Sequence, residues 1–492
     1  MKSFLITVAL VVAAVNGQAP HLQQLKPQTD TFASNFELTK DQISSLNLSG
    51  TVISNLEIAV RFEQSNWATG PVLHDPFYTE LPSNTSSAKP GSILKVEHFT
   101  ESANYTLPPA VALSRFIYQS KTLNGTLVPV SAYILWPYLN RNAAKAAPVV
   151  SWAHGTSGIY AECAPSHMRN LFYQYGAPFE LALAGYAVVA SDFAGLGVAK
   201  DIKGNDIVHQ YVASPSTGFD VLYAAQAAHE AFPGELTKEF VVFGHSQGGA
   251  ASWAAAQNQV DAQIPGYLGA IAAAPITNAI EQSQIYNIDT PLLEIAQAVH
   301  SIYPHVPLSD ILTPEGLAFD EILRNISSCN SGFSQLFQDL MASSPKPSLL
   351  KDKFLNSTAA NQFANLTAVG GKAFEGPMLI LQGTNDQAVV PALTSKTVNR
   401  TCEDFGDRGL HYVLVKGSNH FPVLYATQQL WLTWIDERFA SASNTSSDSS
   451  KTLPSGCSFE TIGINSPQPL DHYNLNAVNY FLELATSSYE AA

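Results

Sequence analysis

The segment Gly244-His245-Ser246-Gln247-Gly248 is the only Gly-x-Ser-x-Gly in the 492 residues. It follows the apolar run Phe240–Phe243 and opens the Ala-rich stretch Ala250–Ala256, so it reads as strand, sharp turn and helix. That context suits a nucleophile elbow, in which a strained turn lifts a serine hydroxyl clear of the sheet and the flanking glycines leave room for neighbouring backbone. A serine hydroxyl attacks a carbonyl only when a base removes its proton, and a histidine oriented by a carboxylate is the usual base.

Behind an elbow the expected chain order is Ser, then Asp or Glu, then His. Asp386 lies in Gln382-Gly383-Thr384-Asn385-Asp386 after the strand-like Met378–Leu381, and His420 lies in Gly417-Ser418-Asn419-His420 after Tyr412–Val415. Both sit just past the carboxyl ends of buried strands, where ligand-facing groups collect in parallel sheets. Asp192 precedes the serine, Asp404 and Asp407 lead into a strand, and His411 lies in or at the start of one, so these compete poorly, as does His472. Taken alone, Asp386 would be a turn former and His420 a packed loop residue; their order after the elbow makes the catalytic reading the stronger. The oxyanion of a tetrahedral intermediate needs preorganised donors. The backbone N–H of Gln247 is one candidate, and Thr156, in His154-Gly155-Thr156-Ser157-Gly158, is the preferred second over Ser157 or Gly158. His154 and His245 read as orienting or packing residues.

These groups must be held by a sheet. Asn124-Gly125 marks a hairpin between Arg115–Ser120 and Val128–Trp136, with Pro129 implying a late start or an edge. Then Pro148–Ala153, Tyr186–Ser191, Phe240–Phe243, Leu268–Ala274, Met378–Leu381 and Tyr412–Val415 alternate with helical stretches at Phe179–Gly185 and about Gly218–Phe232. Short apolar strands separated by helices indicate a mainly parallel sheet covered on both faces. The core therefore reads as residues 91–277 and 376–440. Residues 278–375, too long for a bare loop, read as an inserted and mostly helical cap, with amphipathic pieces at Leu292–Val299 and Phe333–Phe337. Residues 20–90 form an N-terminal extension of unknown role, with a turn-rich linker at 84–91, and residues 441–492 a polar linker and a tail whose apolar Tyr480, Phe481, Leu482 and Leu484 point to its folding back.

The balance of 25 Lys and Arg against 40 Asp and Glu gives a net charge of −15, which argues against nucleic acid as a partner. Met1–Ala19 has the form of a signal peptide cut after Gly17 or Ala19, and no later run is long and apolar enough to span a bilayer. Nine sequons, at Asn47, Asn84, Asn104, Asn124, Asn325, Asn356, Asn365, Asn399 and Asn444, fit a secreted, extracellular glycoprotein. Four cysteines, Cys163, Cys329, Cys402 and Cys457, then read as two disulfides with three connectivities open. Neither their spacing nor the histidines suggest a metal, and nothing calls for a cofactor.

The motifs together resemble the secretory lipase family of α/β-hydrolases. The likeness rests on His154–Gly158, Cys163-Ala164-Pro165-Ser166, Gly185–Val189 leading to Asp192–Gly197, His209-Gln210-Tyr211, the elbow and the Asp386 and His420 loops, from about Arg115 to Phe439. It implies an α/β-hydrolase fold with a helical cap, a triad of Ser246, Asp386 and His420, and the pairs Cys163–Cys329 and Cys402–Cys457. In the chain-entropy account the first pair, closing a long loop, is worth roughly 5 kcal/mol at most. Yeast members associated with triglyceride cleavage tend to have Gly-Tyr-Ser-Gly-Gly at the elbow, so Gly-His-Ser-Gln-Gly leaves the acyl chain length unspecified. The expected partner is an acyl ester or lipid, the cap meeting a lipid surface transiently; oligomeric state is not legible. A serine peptidase on the same fold would need cap charges to hold a peptide terminus, and Glu294, Glu315, Asp320 and Glu321 read instead as a solvated helix face. A non-catalytic module would normally have lost a triad member, and none is missing here.

Overall fold

The computed structural model describes residues 34–46, 48–286, 292–342, 348–443 and 456–476. The proposed signal peptide, Asn47, Asn444 and the apolar residues Tyr480–Leu484 lie outside these.

Among the described residues ten strands, numbered in chain order, form one sheet in the order β1-β2-β3-β5-β4-β6-β7-β8-β9-β10. After helix α1 (Gly50–Ser65) come β1 (Ile93–Glu97), β2 (Val111–Lys121) and β3 (Leu127–Pro137), joined as antiparallel neighbours. Pro129 does not delay β3. It pairs with Gln119 of β2, whereas β5 reaches only Ala132–Leu135 of β3, so the proline's missing N–H falls on a locally open edge.

From β4 (Ala147–Ala153) onward the sheet is parallel: α2 (Pro178–Leu183), β5 (Ala187–Ser191), α3 (Ser214–Ala231), β6 (Leu236–His245), α4 (Gln247–Ala262) and β7 (Tyr267–Ala273) follow in turn. Helix α3 begins four residues before the expected Gly218, because Pro215 in its first turn has no N–H to lose from the helical ladder.

Between β7 and β8 the described chain is helical: α5 (Ala279–Tyr286), α6 (Leu292–Ile302), α7 (Pro314–Asn325), α8 (Asn330–Ala342) and α9 (Thr358–Thr367), with short turns between. Their apolar side chains share a core with Leu38, Leu56 and Val60 of the N-terminal segment. The region before residue 90 is thus a structural partner of these helices; Glu63 of α1 accepts the N–H groups of Cys329 (3.0 Å) and Gly332 (2.7 Å) at the start of α8.

The sheet resumes with β8 (Met378–Gly383), α10 (Pro391–Phe405), β9 (Leu410–Val415) and α11 (Gln428–Ser443). The segment read as linker and tail contributes β10 (Cys457–Ile462), parallel to β9 across the full length of both. Its pattern was obscure because, as an edge strand, it has no fully buried residue. Disulfides join Cys163 to Cys329, tying the loop after β4 to the start of α8, and Cys402 to Cys457, tying α10 to β10. No helix among the described residues is long and apolar enough to cross a membrane.

Candidate active site

The parallel register aligns the strand ends. Ala153 of β4 pairs with Gly244 of β6, His245 with Ala273 of β7, and Gly383 of β8 with Val415 of β9. The loops carrying Thr156, Ser246, Asp386 and His420 therefore leave the same rim, at the carboxyl ends of the strands.

Ser246 stands between β6 and α4 with φ 60° and ψ −120°, a strained conformation for a residue with a β-carbon. Its N–H donates to Ala273 O (2.9 Å) and its carbonyl accepts from Ala250 N (3.1 Å), which hold the turn. A β-carbon on Gly248 would come within 1.9 Å of Ala153 O, and one on Gly244 within 2.2 Å of Gly248 O, so the close crossing of β4, β6 and α4 requires glycine at both.

His420 Nδ1 lies 2.9 Å from Asp386 Oδ2, and both side chains are buried. Asp386 is itself surrounded by donors: Gln382 Nε2 reaches Oδ2 (2.9 Å), and the N–H groups of Ala388 (2.9 Å) and Val389 (2.8 Å) reach Oδ1. Asn419 couples the acid and base loops. Its Oδ1 accepts from Gln387 N (2.9 Å) and His420 N (2.7 Å), its Nδ2 donates to Asn476 O (2.7 Å), and its N–H donates to Leu475 O (2.8 Å). Sequence reasoning missed Asn419, Gln382 and this buttress from the chain's end; a polar side chain in a loop carries no signal of what it will bridge.

Ser246 and His420 line one cavity of about 220 Å³ together with Thr156, Tyr211, Glu294 and Phe333. The Gly155 backbone is packed onto the serine: a β-carbon there would lie 3.2 Å from Ser246 Cβ and would strike the Tyr173 hydroxyl. Thr156 Oγ1 bonds the Tyr211 hydroxyl (2.8 Å). Ser157 and Gly158 are engaged elsewhere, Ser157 O accepting from Asn330 N (3.0 Å) and Gly158 bridging to Cys329.

The other histidines have structural surroundings. Tyr173 donates to His245 Nδ1 (2.7 Å), and His245 Nε2–H donates to His420 O (3.1 Å), so this ring props the backbone of His420. Burial and the neighbouring His420 push its ionisation well below the usual histidine value, which keeps it a neutral prop. His209 donates through Nδ1 to Ala194 O (2.9 Å) and accepts from Gln247 Nε2 (2.9 Å), fixing the residue after the serine; burial lowers it to about 4. His154 packs against Phe193, with ring centroids 4.4 Å apart. Tyr173 and the role of His209 were not foreseen.

The competing residues fall elsewhere. Asp192 is buried under β3 and β5, accepting from Ser131 Oγ (2.6 Å), Ser166 N (2.8 Å) and Ser166 Oγ, and burial pushes it up to about 6. Asp404 and Asp407 precede β9, at the far end of the sheet, and His411 on β9 pairs with Glu460 (3.2 Å). His472 lies in the turn Leu470–His472. Two cap acids depart from the expected solvated face. Glu315 and Glu321 are exposed, but Asp320 is buried, accepting from Gln297 Nε2 (2.6 Å) and pairing with Arg324, and Glu294 is 4% exposed and faces the cavity. Helix α6 is buried on nearly all sides, so its one acid has no solvated face to occupy.

Comparison with known proteins agrees with this architecture. Candida antarctica lipase A matches with a TM-score of 0.61 over 81% of this chain and 92% of its own, at 16% identity. The rice cell wall degrading esterase LipA from Xanthomonas oryzae matches with a TM-score of 0.57 over 72% of this chain and 100% of its own, at 18% identity. At such identities the likeness is one of fold, here the α/β-hydrolase fold. No curated protein matches the chain in sequence. The sequence model of the secretory lipase family matches residues 178–447, over half the chain and including the elbow and both later loops. The chain belongs to the secretory lipase family, and its activity is of the lipase or esterase kind.

Proposed function

We propose that the chain is a secreted serine carboxylester hydrolase working through an acyl-enzyme on Ser246. His420 Nε2 takes the Ser246 proton as Oγ attacks the ester carbonyl, while Asp386 holds Nδ1–H and steadies the imidazolium. The oxyanion is received by the N–H groups of Gln247 and Thr156. Collapse releases the alcohol, protonated by His420, and water then attacks the acyl-enzyme by the same route. The observation that carries this reading is the buried His420–Asp386 contact of 2.9 Å at the rim where the strained Ser246 turn shares a cavity with His420. Thr156 is favoured over Ser157 and Gly158 because it alone of the three lines that cavity.

Residues 278–375 act as the cap that shapes the cavity and meets a lipid surface. A volume of about 220 Å³ is below the roughly 300 Å³ at which ordinary ligand pockets begin. It favours esters with small groups, so the esterase end of the range. Secretion is supported by the two disulfides and by the sequons: Asn84, Asn124, Asn325, Asn356, Asn365 and Asn399 are exposed and Asn104 is half-buried.

Turnover of p-nitrophenyl esters from acetate to oleate, with and without an emulsion, tests the reading against Ser246→Ala. We expect the variant to be inactive and the short esters to be preferred; full activity in purified Ser246→Ala protein would refute the nucleophile.

A further inference from the structure

Glu294 is the one acid among the described residues lining the nucleophile's cavity. It projects from the first turn of α6, is 4% exposed, and among the described residues makes no hydrogen bond or ion pair. A buried carboxyl is normally paired, because leaving it alone costs desolvation without return. Here only burial acts on it, pushing it up to about 8. Among the described residues the other titratable groups facing the cavity are Tyr173, Tyr211 and His420, with Tyr160 also near Glu294; Asp320 and Arg324 on α7 pair with each other. Among the described residues no lysine or arginine lines the cavity, while Phe172, Tyr173, Tyr211, Phe333 and Phe421 give it aromatic walls. A lone acid among aromatic faces complements one kind of ligand, an organic cation, through charge and cation–π attraction. The net charge of −15 would draw such a cation in.

We propose that Glu294 and the aromatic walls form a cation subsite, so that the preferred ester carries an ammonium group; this rests on the reading of Ser246 as nucleophile.

Two measurements at pH 8.5, where the carboxyl is mostly ionised, test it. The first compares kcat/KM for butyrylcholine and for its uncharged isostere 3,3-dimethylbutyl butyrate, in the native protein and in Glu294→Gln. The second is calorimetric binding of tetramethylammonium to Ser246→Ala protein with and without Glu294→Gln. We expect the charged ester to be favoured about tenfold or more, the ratio to fall to near one in Glu294→Gln, and tetramethylammonium binding to weaken at least tenfold. Binding that is absent or indifferent to Glu294 overturns the subsite, as does an equal loss for both esters; hydrolysis of both esters would then leave the reading of Ser246 intact. Glu294-dependent binding without turnover of either ester would keep the subsite and sink the hydrolase reading instead.

Discussion

Replacing Asp386 by Asn exchanges one oxygen for an amide nitrogen at the centre of a ring of donors. His420 Nδ1, Gln382 Nε2, Ala388 N and Val389 N all point at its two oxygens. The backbone pair cannot turn away, so the amide oxygen of Asn is held by Ala388 and Val389 and its NH2 faces Gln382 and His420. Gln382 can adapt by rotating its amide, because the Thr394 hydroxyl on its Oε1 can donate or accept, at the loss of the bond from Nε2 to Gly383 O (3.2 Å). His420 adapts by moving its proton to Nε2, which leaves no lone pair for the Ser246 proton. A base locked in the wrong tautomer costs roughly 10⁴-fold in kcat, about 5 kcal/mol. Loss of stability should be smaller, on the order of 1–3 kcal/mol, because the new side chain is neutral and nearly isosteric. The assay is kcat with p-nitrophenyl butyrate beside urea unfolding, with Ser246→Ala as the floor. A loss below tenfold in folded Asp386→Asn protein would refute the assignment of Asp386 as the group that orients the base.

Three further perturbations follow from the geometry. Asn419→Ala strips the acceptor from the N–H groups of Gln387 and His420 and should destabilise the protein by about 2 kcal/mol in urea, with at least a tenfold drop in kcat; unchanged kcat would mean that the tail does not position the base. Gly248→Ala places a methyl 1.9 Å from Ala153 O, a backbone atom that can yield only by moving the loop toward Thr156. It should cost about 3 kcal/mol or more and most of the activity. Glu294 has a folded value near 8, raised from 4.5, so its stabilising contribution is complete below about pH 4.5 and is lost as pH rises through 8. Glu294→Gln should therefore match the native protein in denaturant at about pH 4 and exceed it above pH 8 by a few kcal/mol; a gap independent of pH would show that the carboxyl is not held protonated.

Much of the architecture was legible before any coordinate. The alternation of short apolar strands with Ala-rich helices specifies a parallel sheet, because only strands covered on both faces can be apolar throughout. Local chemistry marked the elbow, since Gly244 and Gly248 tolerate no β-carbon where backbones cross. The order of Ser246, Asp386 and His420 behind successive strands likewise placed all three loops on one rim. What stayed hidden depended on long-range contact. Strand β10 carries no buried stripe because it is an edge, so its apolar pattern was absent. Asn419, Gln382, Tyr173 and His209 act by bridging segments far apart in the chain, and a residue's type does not say what will fold against it. Glu294 shows the same limit most clearly. At the start of an amphipathic run an acid reads as solvated, and only the packing of α6 over the strand ends turned it inward, to share a cavity with Ser246. Sequence periodicity reports which side of an element is apolar; which neighbour covers the other side is decided by the tertiary fold.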